Sequence, residues 1–324
     1  MATRKVMILA RGLGTRMSNS GGPALDGAAE EMARAGLKGL IPLAGRPFLD
    51  YLFGVIVEAG FREACLVIGP DSGALKAYGE ELGKRARLDV YFAVQKEPRG
   101  TADAVAAGEG FAEGESFVML NSDNWMPAEG LRLLREARSV GEAADEPRPG
   151  TGDSMALRDP GYEEEFGGDD DVSEDTAFGV GVEEGVQAGF VLGFDREGLL
   201  AGNIPADRVK RFGVLDAGLD GKLQRVVEKP DDPEQFARNG RLYVSMNCWQ
   251  FPPAIFDACR AIKPSPRGEL EITDAVQWLI DHKRAEFRVL FRSDPVYDLT
   301  GREDIGAVGQ MLAGYKVPFP AAKG

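Results

Sequence analysis

Short apolar runs alternate with longer amphipathic stretches over the first 120 residues of the chain. An apolar run without alternation is typical of a strand that is buried on both faces. Such runs predict strands, and helical periodicity between them predicts helices. The predicted strands cover residues 6–10, 64–68, 88–94 and 117–120, and the predicted helices cover residues 27–35, 48–59, 73–87 and 101–108. The alternation predicts an α/β protein with a parallel sheet that carries helices on both faces.

The second half of the chain predicts mainly strands. The Asp220-Gly221 pair is a strong hairpin turn, so the runs on either side of it are expected to pair. The predicted strands cover residues 188–194, 211–215, 223–227, 242–251, 287–291 and 296–297, and one amphipathic helix is predicted at residues 272–282. The order of these elements shows no internal repeat.

Negative charge is concentrated in one segment. The 324 residues include 38 Lys and Arg against 52 Asp and Glu, for a net charge of −14. That balance argues against a general surface for nucleic acids or anionic membranes. Residues 142–185 alone carry fifteen acidic and two basic side chains, with frequent Gly and Pro. We expect this segment to be a solvated insertion, with a composition compatible with disorder, next to a nearly neutral remainder.

Composition also excludes several classes of site. The only histidine is His282, which argues against a histidine metal site or a His–carboxylate relay. The cysteines Cys65, Cys248 and Cys259 are far apart and odd in number, so we expect neither a disulfide framework nor a structural zinc site. The N-terminal apolar run is too short for a signal peptide, and no apolar stretch is long enough to span a membrane. We expect a soluble, cytoplasmic protein.

Several candidate chemical groups follow predicted strands. The turn Gly12-Leu-Gly-Thr-Arg16 offers backbone amides and an arginine to phosphate oxygens, although a short glycine turn is usually only a turn. The segment Gln95-Lys-Glu-Pro-Arg-Gly-Thr101 opens a helix, so Gln95 could contact a base edge or Thr101 could simply cap the helix. Asp123 and Asp298 end strands and suit Mg²⁺, but capping by an aspartate is common.

Three further groups are weaker evidence for a functional site when each is considered alone. Lys38 lies ahead of a strand and a Gly-Arg-Pro turn, where an isolated lysine is usually a surface residue. Glu228 and Lys229 end a strand as an opposite-charge pair, and Arg267 precedes a helix among carboxylates. Surface ion pairs are the simpler interpretation of both charged groups.

Taken in order, these pieces resemble the sugar-phosphate nucleotidylyltransferase family, which makes nucleotide sugars. The resemblance rests on Leu9-Ala-Arg-Gly-Leu-Gly-Thr-Arg16, Lys38-Gly-Leu-Ile-Pro-Leu-Ala-Gly-Arg-Pro47, Gln95-Lys-Glu-Pro-Arg-Gly-Thr-Ala102, Asp123-Asn124 and the later Phe-Gly-Val, Glu-Lys-Pro, Glu-Leu-Glu-Ile-Thr-Asp and Asp-x-x-Gly elements. Each motif is weak by itself, but the ordered set spans residues 5–305. Within the family, the motifs resemble those of the glucose-1-phosphate thymidylyltransferases.

The resemblance implies an α/β fold: a Rossmann-like nucleotidyltransferase core with a mixed, mostly parallel sheet flanked by helices, plus a small inserted β-rich sugar-binding region. It implies one catalytic domain over residues 1–324, and the C-terminal left-handed β-helix of some relatives is expected to be absent. It also implies that a nucleoside triphosphate and a sugar 1-phosphate give a nucleotide sugar and pyrophosphate. Assembly into an oligomer of identical chains is compatible with the family, and neither a nucleic acid nor a membrane is expected as a partner.

The resemblance also implies site roles in this sequence. Arg16 and Lys38 would be catalytic, and Asp123 and Asp298 would bind Mg²⁺. The nucleotide would contact Leu9, Ala10, Gly12, Gly14, Thr15, Gln95, Gly100 and Thr101. The sugar phosphate would contact Asn124, Gly213, Glu228, Lys229, Asn247 and Arg267.

Three features depart from the family pattern. Arg11 stands where members usually have Gly or Ala, the connection from Arg16 to Lys38 is long, and the stretch between Asp123 and Gly213 is enlarged. Two alternatives therefore remain: the same chemistry on a non-sugar phosphate such as phosphocholine or a phosphonate, or a non-catalytic regulatory protein that binds nucleotide sugars. The presence of Arg16, Lys38, Asp123 and Asp298 argues against the second.

Overall fold

The computed structural model describes residues 2–12, 14–18, 25–139, 179–180, 185–237 and 239–322. The predicted acidic insertion at 142–185 lies almost wholly outside the described residues. No helix in the described part of the chain is long and apolar enough to cross a membrane.

A nine-stranded sheet is the centre of the molecule. Its strands are β1 (Lys5–Leu9), β4 (Glu63–Ile68), β5 (Asp89–Val94), β6 (Phe117–Asn121), β10 (Gln187–Asp195), β11 (Gly213–Ala217), β12 (Leu223–Glu228), β13 (Tyr243–Phe251) and β14 (Ala285–Arg292). Strands β5, β4, β1 and β6 are adjacent and parallel, whereas β13 adds antiparallel to β6. The predicted mixed sheet with a parallel part is confirmed.

Eleven helices belong to the described residues and flank the sheet. They are α1 (Thr15–Ser18), α2 (Gly27–Arg34), α3 (Phe48–Glu58), α4 (Gly73–Ala86), α5 (Thr101–Ala107), α6 (Glu109–Ala112), α7 (Ala128–Glu136), α8 (Arg196–Ala201), α9 (Ile255–Ala261), α10 (Ile272–Asp281) and α11 (Asp304–Leu312). Two-residue strands complete the set: β2 (Pro42–Leu43), β3 (Arg46–Pro47), β7 (Asn124–Trp125), β8 (Arg138–Ser139), β9 (Gly179–Val180) and β15 (Tyr297–Asp298).

Side chains of β1 alternate between two apolar cores on opposite faces of the sheet. Val6 and Ile8 pack with α3 residues such as Phe53, whereas Met7 packs with α5 and α9 residues on the other face. This two-sided burial explains why the strand is apolar at every position. The predicted strand and helix ends agree with the structure to within a few residues.

One predicted strand begins later than expected. Residues 206–211 form a 3₁₀ helix (Ala206–Arg211), so Arg211 precedes β11 instead of belonging to it. Strands β11 and β12 then pair antiparallel across the Asp220-Gly221 turn, as predicted. The 3₁₀ helix matters for the site because it carries Arg208.

Strand β13 changes neighbours halfway along one edge. Ser245 pairs with β11, whereas Trp249 pairs with β6. Between them, Asn247 adopts a left-handed backbone with φ +53°, and the pairing to β10 is irregular at the same place. This side of β13 therefore has a gap in its strand pairing, between the end of β6 and the start of β11.

Candidate active site

A cleft of about 650 Å³ lies at the carboxyl ends of the parallel strands. In open α/β sheets this edge is where ligands bind, because several loops converge there. Segments after β1, β4, β5 and β6 all contribute to the cleft. Eight of the predicted site residues line it, namely Leu9, Ala10, Gly12, Lys38, Gln95, Gly100, Thr101 and Asp123.

Gln95 is fixed within its own loop. Its side chain is 4% exposed, and Nε2 donates to Gly100 O (3.0 Å) and Asp103 Oδ2 (2.9 Å). Both amide hydrogens are therefore directed at the start of α5. In this structure Gln95 positions the Gly100 turn, and its amide NH₂ is already engaged.

Gly100 is required by a close backbone approach. It has φ +119°, and a Cβ there would lie 2.4 Å from Leu270 O. Hydrogen bonds surround this contact: Leu270 N donates to Arg99 O (2.7 Å), and Ala102 N donates to Leu270 O (2.9 Å). The loop before α5 and the segment before α10 are therefore joined through their backbones.

Arg11 turns along the cleft wall. Its Nε donates to Gln95 O at 3.4 Å, and its side chain packs beside Gly69. The departure from the usual small residue is accommodated in this way. Arg11 thus links the turn after β1 with the turn after β5.

The glycine-rich turn packs against the end of α2. Gly14 is buried with φ +60°, and a Cβ there would lie 2.8 Å from Gly36 Cα. The side chain of Arg16 is exposed on α1 and is not part of the cleft lining. The side chain of Thr15 lies outside what the structure describes.

Lys38 and Asp123 form an ion pair at the cleft. Lys38 Nζ lies 3.0 Å from Asp123 Oδ2. Lys38 begins a 3₁₀ turn (Lys38–Leu40) after α2, and Asp123 lies in the turn between β6 and β7. The fold thus places the residue that the resemblance makes catalytic beside one that it assigns to Mg²⁺.

Asp298 lies on β15, is buried, and is next to Asp123. Strand β15 pairs with β7. Burial, followed by the negative charge of Asp123, raises the pKa of Asp298 to about 6. Arg208 Nη2 lies 2.5 Å from Asp298 Oδ2, and Thr300 Oγ1 donates to the same carboxylate (2.8 Å). Arg208 Nη1 also pairs with buried Asp304 Oδ1 at 2.7 Å.

The donor chemistry of this pair fits a hard divalent cation. A buried carboxylate beside a second carboxylate is stabilised by a positive ion between them. Mg²⁺ is commonly bound by one or two carboxylates together with substrate phosphates. Within the described residues no cluster of three His, Cys, Asp or Glu could hold a metal without such a substrate.

A second charged cluster brings together three of the residues assigned to the sugar phosphate. Glu228 Oε1 lies 3.2 Å from Lys229 Nζ and 3.6 Å from Arg267 Nη2. Arg267 also pairs with Glu271, and burial raises the pKa of Glu271 despite that arginine. The cluster lies where β12 ends and α10 begins, and nearby Glu269 lines the cleft.

The remaining predicted sugar residues border the gap in β13. Asn124 is buried and its Nδ2 donates to Met246 O (3.0 Å), next to Asn247. Gly213 starts β11, pairs with Glu228, and leaves space that a Cβ would fill to within 3.1 Å of Glu228 Oε2. Asn124 thus reaches β13 beside Asn247, and Gly213 lies opposite Glu228, but none of these four residues lines the cleft.

Two arginines near the site have no recognisable sequence signal. Arg208 binds Asp298 and Asp304, and Arg302 is buried and bound to Glu30. Each lies in a polar stretch without periodicity or motif. Their partners are about 90 and 270 positions away, so only the folded chain brings the pairs together.

Known proteins match this chain in sequence and in fold. It is 28% identical over 280 residues to glucose-1-phosphate thymidylyltransferase of Streptomyces griseus, covering 86% of this chain and 58% of that protein. It is 26% identical over 254 residues to the low-salt glycan biosynthesis nucleotidyltransferase Agl11 of Haloferax volcanii, covering 77% of this chain and 53% of that protein. The chain therefore spans little more than half of these curated relatives.

Solved structures share the fold at low identity. A crystal structure of a putative glucose-1-phosphate thymidylyltransferase from Bacillus anthracis superposes with a TM-score of 0.64, at 17% identity and covering 96% of both chains. A UDP-glucose pyrophosphorylase complexed with UDP-glucose gives a TM-score of 0.63, also at 17% identity, covering 95% of this chain and 98% of that one. The family model described as nucleotidyl transferase matches residues 5–146 and 172–314. The chain belongs to the nucleotidyl transferase family.

Proposed function

We propose that this protein transfers a nucleotidyl group from a nucleoside triphosphate to a sugar 1-phosphate, releasing pyrophosphate. The observation that carries the proposal is the Lys38–Asp123 pair at the mouth of a cleft formed by strand ends and a glycine-rich turn. The names of the matched thymidylyltransferases support the substrate class. The charged cluster of Lys229 and Arg267 supplies cations for a second phosphate.

In this proposal the sugar phosphate oxygen attacks the α-phosphorus directly, and pyrophosphate leaves from the opposite side. The backbone amides of Gly12, Gly14 and Thr15 and the Lys38 ammonium bind the triphosphate, with Arg16 turning in from α1. These groups stabilise charge that develops on the phosphate oxygens, so catalysis consists of positioning and electrostatics. No covalent intermediate is needed, in keeping with a single histidine outside the cleft.

Asp123 and Asp298 would hold Mg²⁺, which neutralises phosphate charge and orients the two reacting phosphates. In this structure the Lys38 ammonium donates a hydrogen bond to one carboxylate oxygen of Asp123. On triphosphate binding its ammonium would move from that carboxylate to a phosphate. Arg208 and Thr300 would keep the Asp298 carboxylate oriented.

We further propose that residues 1–324 carry one catalytic domain and that the acidic segment is accessory. The family match omits residues 147–171, which lie within that segment. An insertion absent from the common family core is not needed for the common chemistry. The catalytic groups assigned above all lie outside it.

The experiment is a pyrophosphate-release assay over nucleoside triphosphates paired with sugar 1-phosphates, phosphocholine and a phosphonate. Release that depends on a sugar 1-phosphate supports the proposal. Release only with phosphocholine or the phosphonate identifies the non-sugar alternative. Absence of release, with nucleotide-sugar binding retained in calorimetry, identifies a regulatory binding protein and overturns the proposal.

A further inference from the structure

Arg302 connects three parts of the nucleotide side of the cleft. Its side chain is 4% exposed, and its Nη1 and Nη2 donate to Glu30 Oε2 (2.6 Å) and Oε1 (3.1 Å) on α2. Its Nε donates to Met17 O (2.9 Å) on α1. A planar guanidinium can make this fork and the third bond at once, which an ammonium cannot. One side chain therefore binds both helices that precede Lys38.

The backbone that carries Arg302 is itself tightly fixed. It follows Thr300 and Gly301, whose amides donate to Asp304 Oδ2 (3.0 and 2.8 Å). Asp304 is buried and paired with Arg208, which also binds Asp298. Arg302 therefore extends a rigid network from the second carboxylate of the site toward α1 and α2.

The other end of this connection borders the cleft. We call residues 25–37, which contain α2, the arm. Its last residues Ala35, Gly36 and Leu37 line the cleft, Gly36 contacts Gly14, and Lys38 follows directly. A displacement of α2 would therefore move Lys38 and release the glycine-rich turn at the same time.

We propose that Arg302 is a positioning residue for the nucleoside triphosphate, acting through Glu30 on the arm. The proposal rests on the function proposed above. The Arg302–Glu30 pair holds the arm against the turn, so that Lys38 and the turn amides are arranged before the triphosphate arrives. The cations assigned to the sugar phosphate, Lys229 and Arg267, lie in other segments, after β12 and before α10. Loosening the arm should therefore weaken triphosphate binding selectively.

Two variants and one control test this role. Glu30→Gln removes the charge of a carboxylate at the protein surface, and Arg302→Lys keeps a cation but loses the fork. Arg34→Ala is the matched control, because Arg34 binds the same carboxylate (Nε to Oε1, 2.6 Å) while its side chain is 74% exposed. We expect KM for the triphosphate to rise about tenfold or more in both test variants, since ångström-scale misplacement has large effects. KM for the sugar 1-phosphate should stay within about twofold, and Arg34→Ala should change neither constant.

Hydrogen exchange provides a readout that needs no turnover. Without substrate, the amides of Gly27–Arg34 should exchange faster in both test variants than in the wild type and Arg34→Ala. If the wild type turns over no substrate pair, the proposed function fails, and triphosphate affinity by calorimetry then replaces KM. The positioning role is overturned if exchange is unchanged, if both KM values rise equally, or if Arg34→Ala behaves like Glu30→Gln.

Discussion

Lys38 Nζ and Asp123 Oδ2 are 3.0 Å apart, although the two residues are separated by 85 positions in the chain. One follows the arm and the other follows β6, so the contact joins the triphosphate side of the cleft to the carboxylates. Both side chains are partly exposed, at 18% and 27%, which leaves the pair accessible to a substrate. A phosphate group can replace the carboxylate as the partner of Lys38 without burying a new charge.

Replacing Lys38 should affect catalysis far more than folding. We expect Lys38→Met to lower kcat by about 100- to 1,000-fold, because a charge directed at the transferred phosphate is lost. Pyrophosphate release measures kcat, and circular dichroism checks the fold. Lys222→Met is the control, since Lys222 pairs with Glu286 on the surface. Equal activity of the two variants would contradict the role of Lys38.

Removing one carboxylate should change the metal requirement. We expect Asp123→Asn to lower turnover by at least about 100-fold and to raise the Mg²⁺ concentration for half-maximal rate, because one anionic oxygen ligand is lost. Chelation of divalent ions should abolish wild-type turnover. Asp281→Asn, on an exposed helix end, should match the wild type. A wild-type Mg²⁺ dependence in Asp123→Asn would exclude Asp123 as a ligand.

Removing Arg208 should destabilise the protein. Arg208→Met leaves the carboxylates of Asp298 and Asp304 buried without their cation, which typically costs about 3–5 kcal/mol in the free energy of unfolding. Urea denaturation measures that loss. Arg211→Met, an exposed position in the same 3₁₀ helix, should change stability by less than about 0.5 kcal/mol. Similar losses in both variants would show that the ion pairs are not the cause.

Because of Glu30, the stability of the folded protein should depend on pH in the acidic range. The Arg302 and Arg34 hydrogen bonds lower the pKa of Glu30 from 4.5 to about 2. A depressed folded-state pKa adds stability above the unfolded pKa, and that stability is lost as pH falls from about 4.5 toward about 2. The Tm difference between wild type and Glu30→Gln should therefore shrink between neutral pH and about pH 3. A difference that stays constant over this range would argue against the assigned pair.

Deleting the segment that the family match omits should spare the chemistry. We expect a chain without residues 147–171, rejoined by a short Gly-Ser linker, to keep kcat within about threefold, because loop length is tolerated at low cost. The assay is again pyrophosphate release, with Tm as the check on folding. A folded but inactive deletion variant would show that the segment takes part in the reaction.

The sheet and the cleft could be predicted because local patterns determine them. Apolar runs identified β1, β4, β5 and β6, and parallel strands place the turns that follow them at one edge, where Gln95 and Asp123 lie. Lys38 follows α2, so the strand pattern alone did not determine its contact with Asp123. Side-chain directions could not be predicted in the same way. Gln95 donates to its own loop, and Arg16 is exposed on α1.

The two structural arginines were beyond local patterns for a different reason. Arg208 and Arg302 lie in polar stretches where an arginine is usually a surface residue. Their partners Asp298, Asp304 and Glu30 are far away in the sequence, and only the folded sheet and arm bring the pairs together. A pairwise contact between distant residues has no signature in one sequence.

The backbone contact between Gly100 and Leu270 limits how the proposed specificity of this protein can be redesigned. The loop assigned to the base and the segment that carries Arg267 share hydrogen bonds between Arg99, Ala102 and Leu270. Grafting one of them from a relative with another sugar would leave mismatched backbone partners in the other. Exchange between relatives should therefore treat residues 95–102 and 265–272 as one transplantable unit, even though 162 positions separate them.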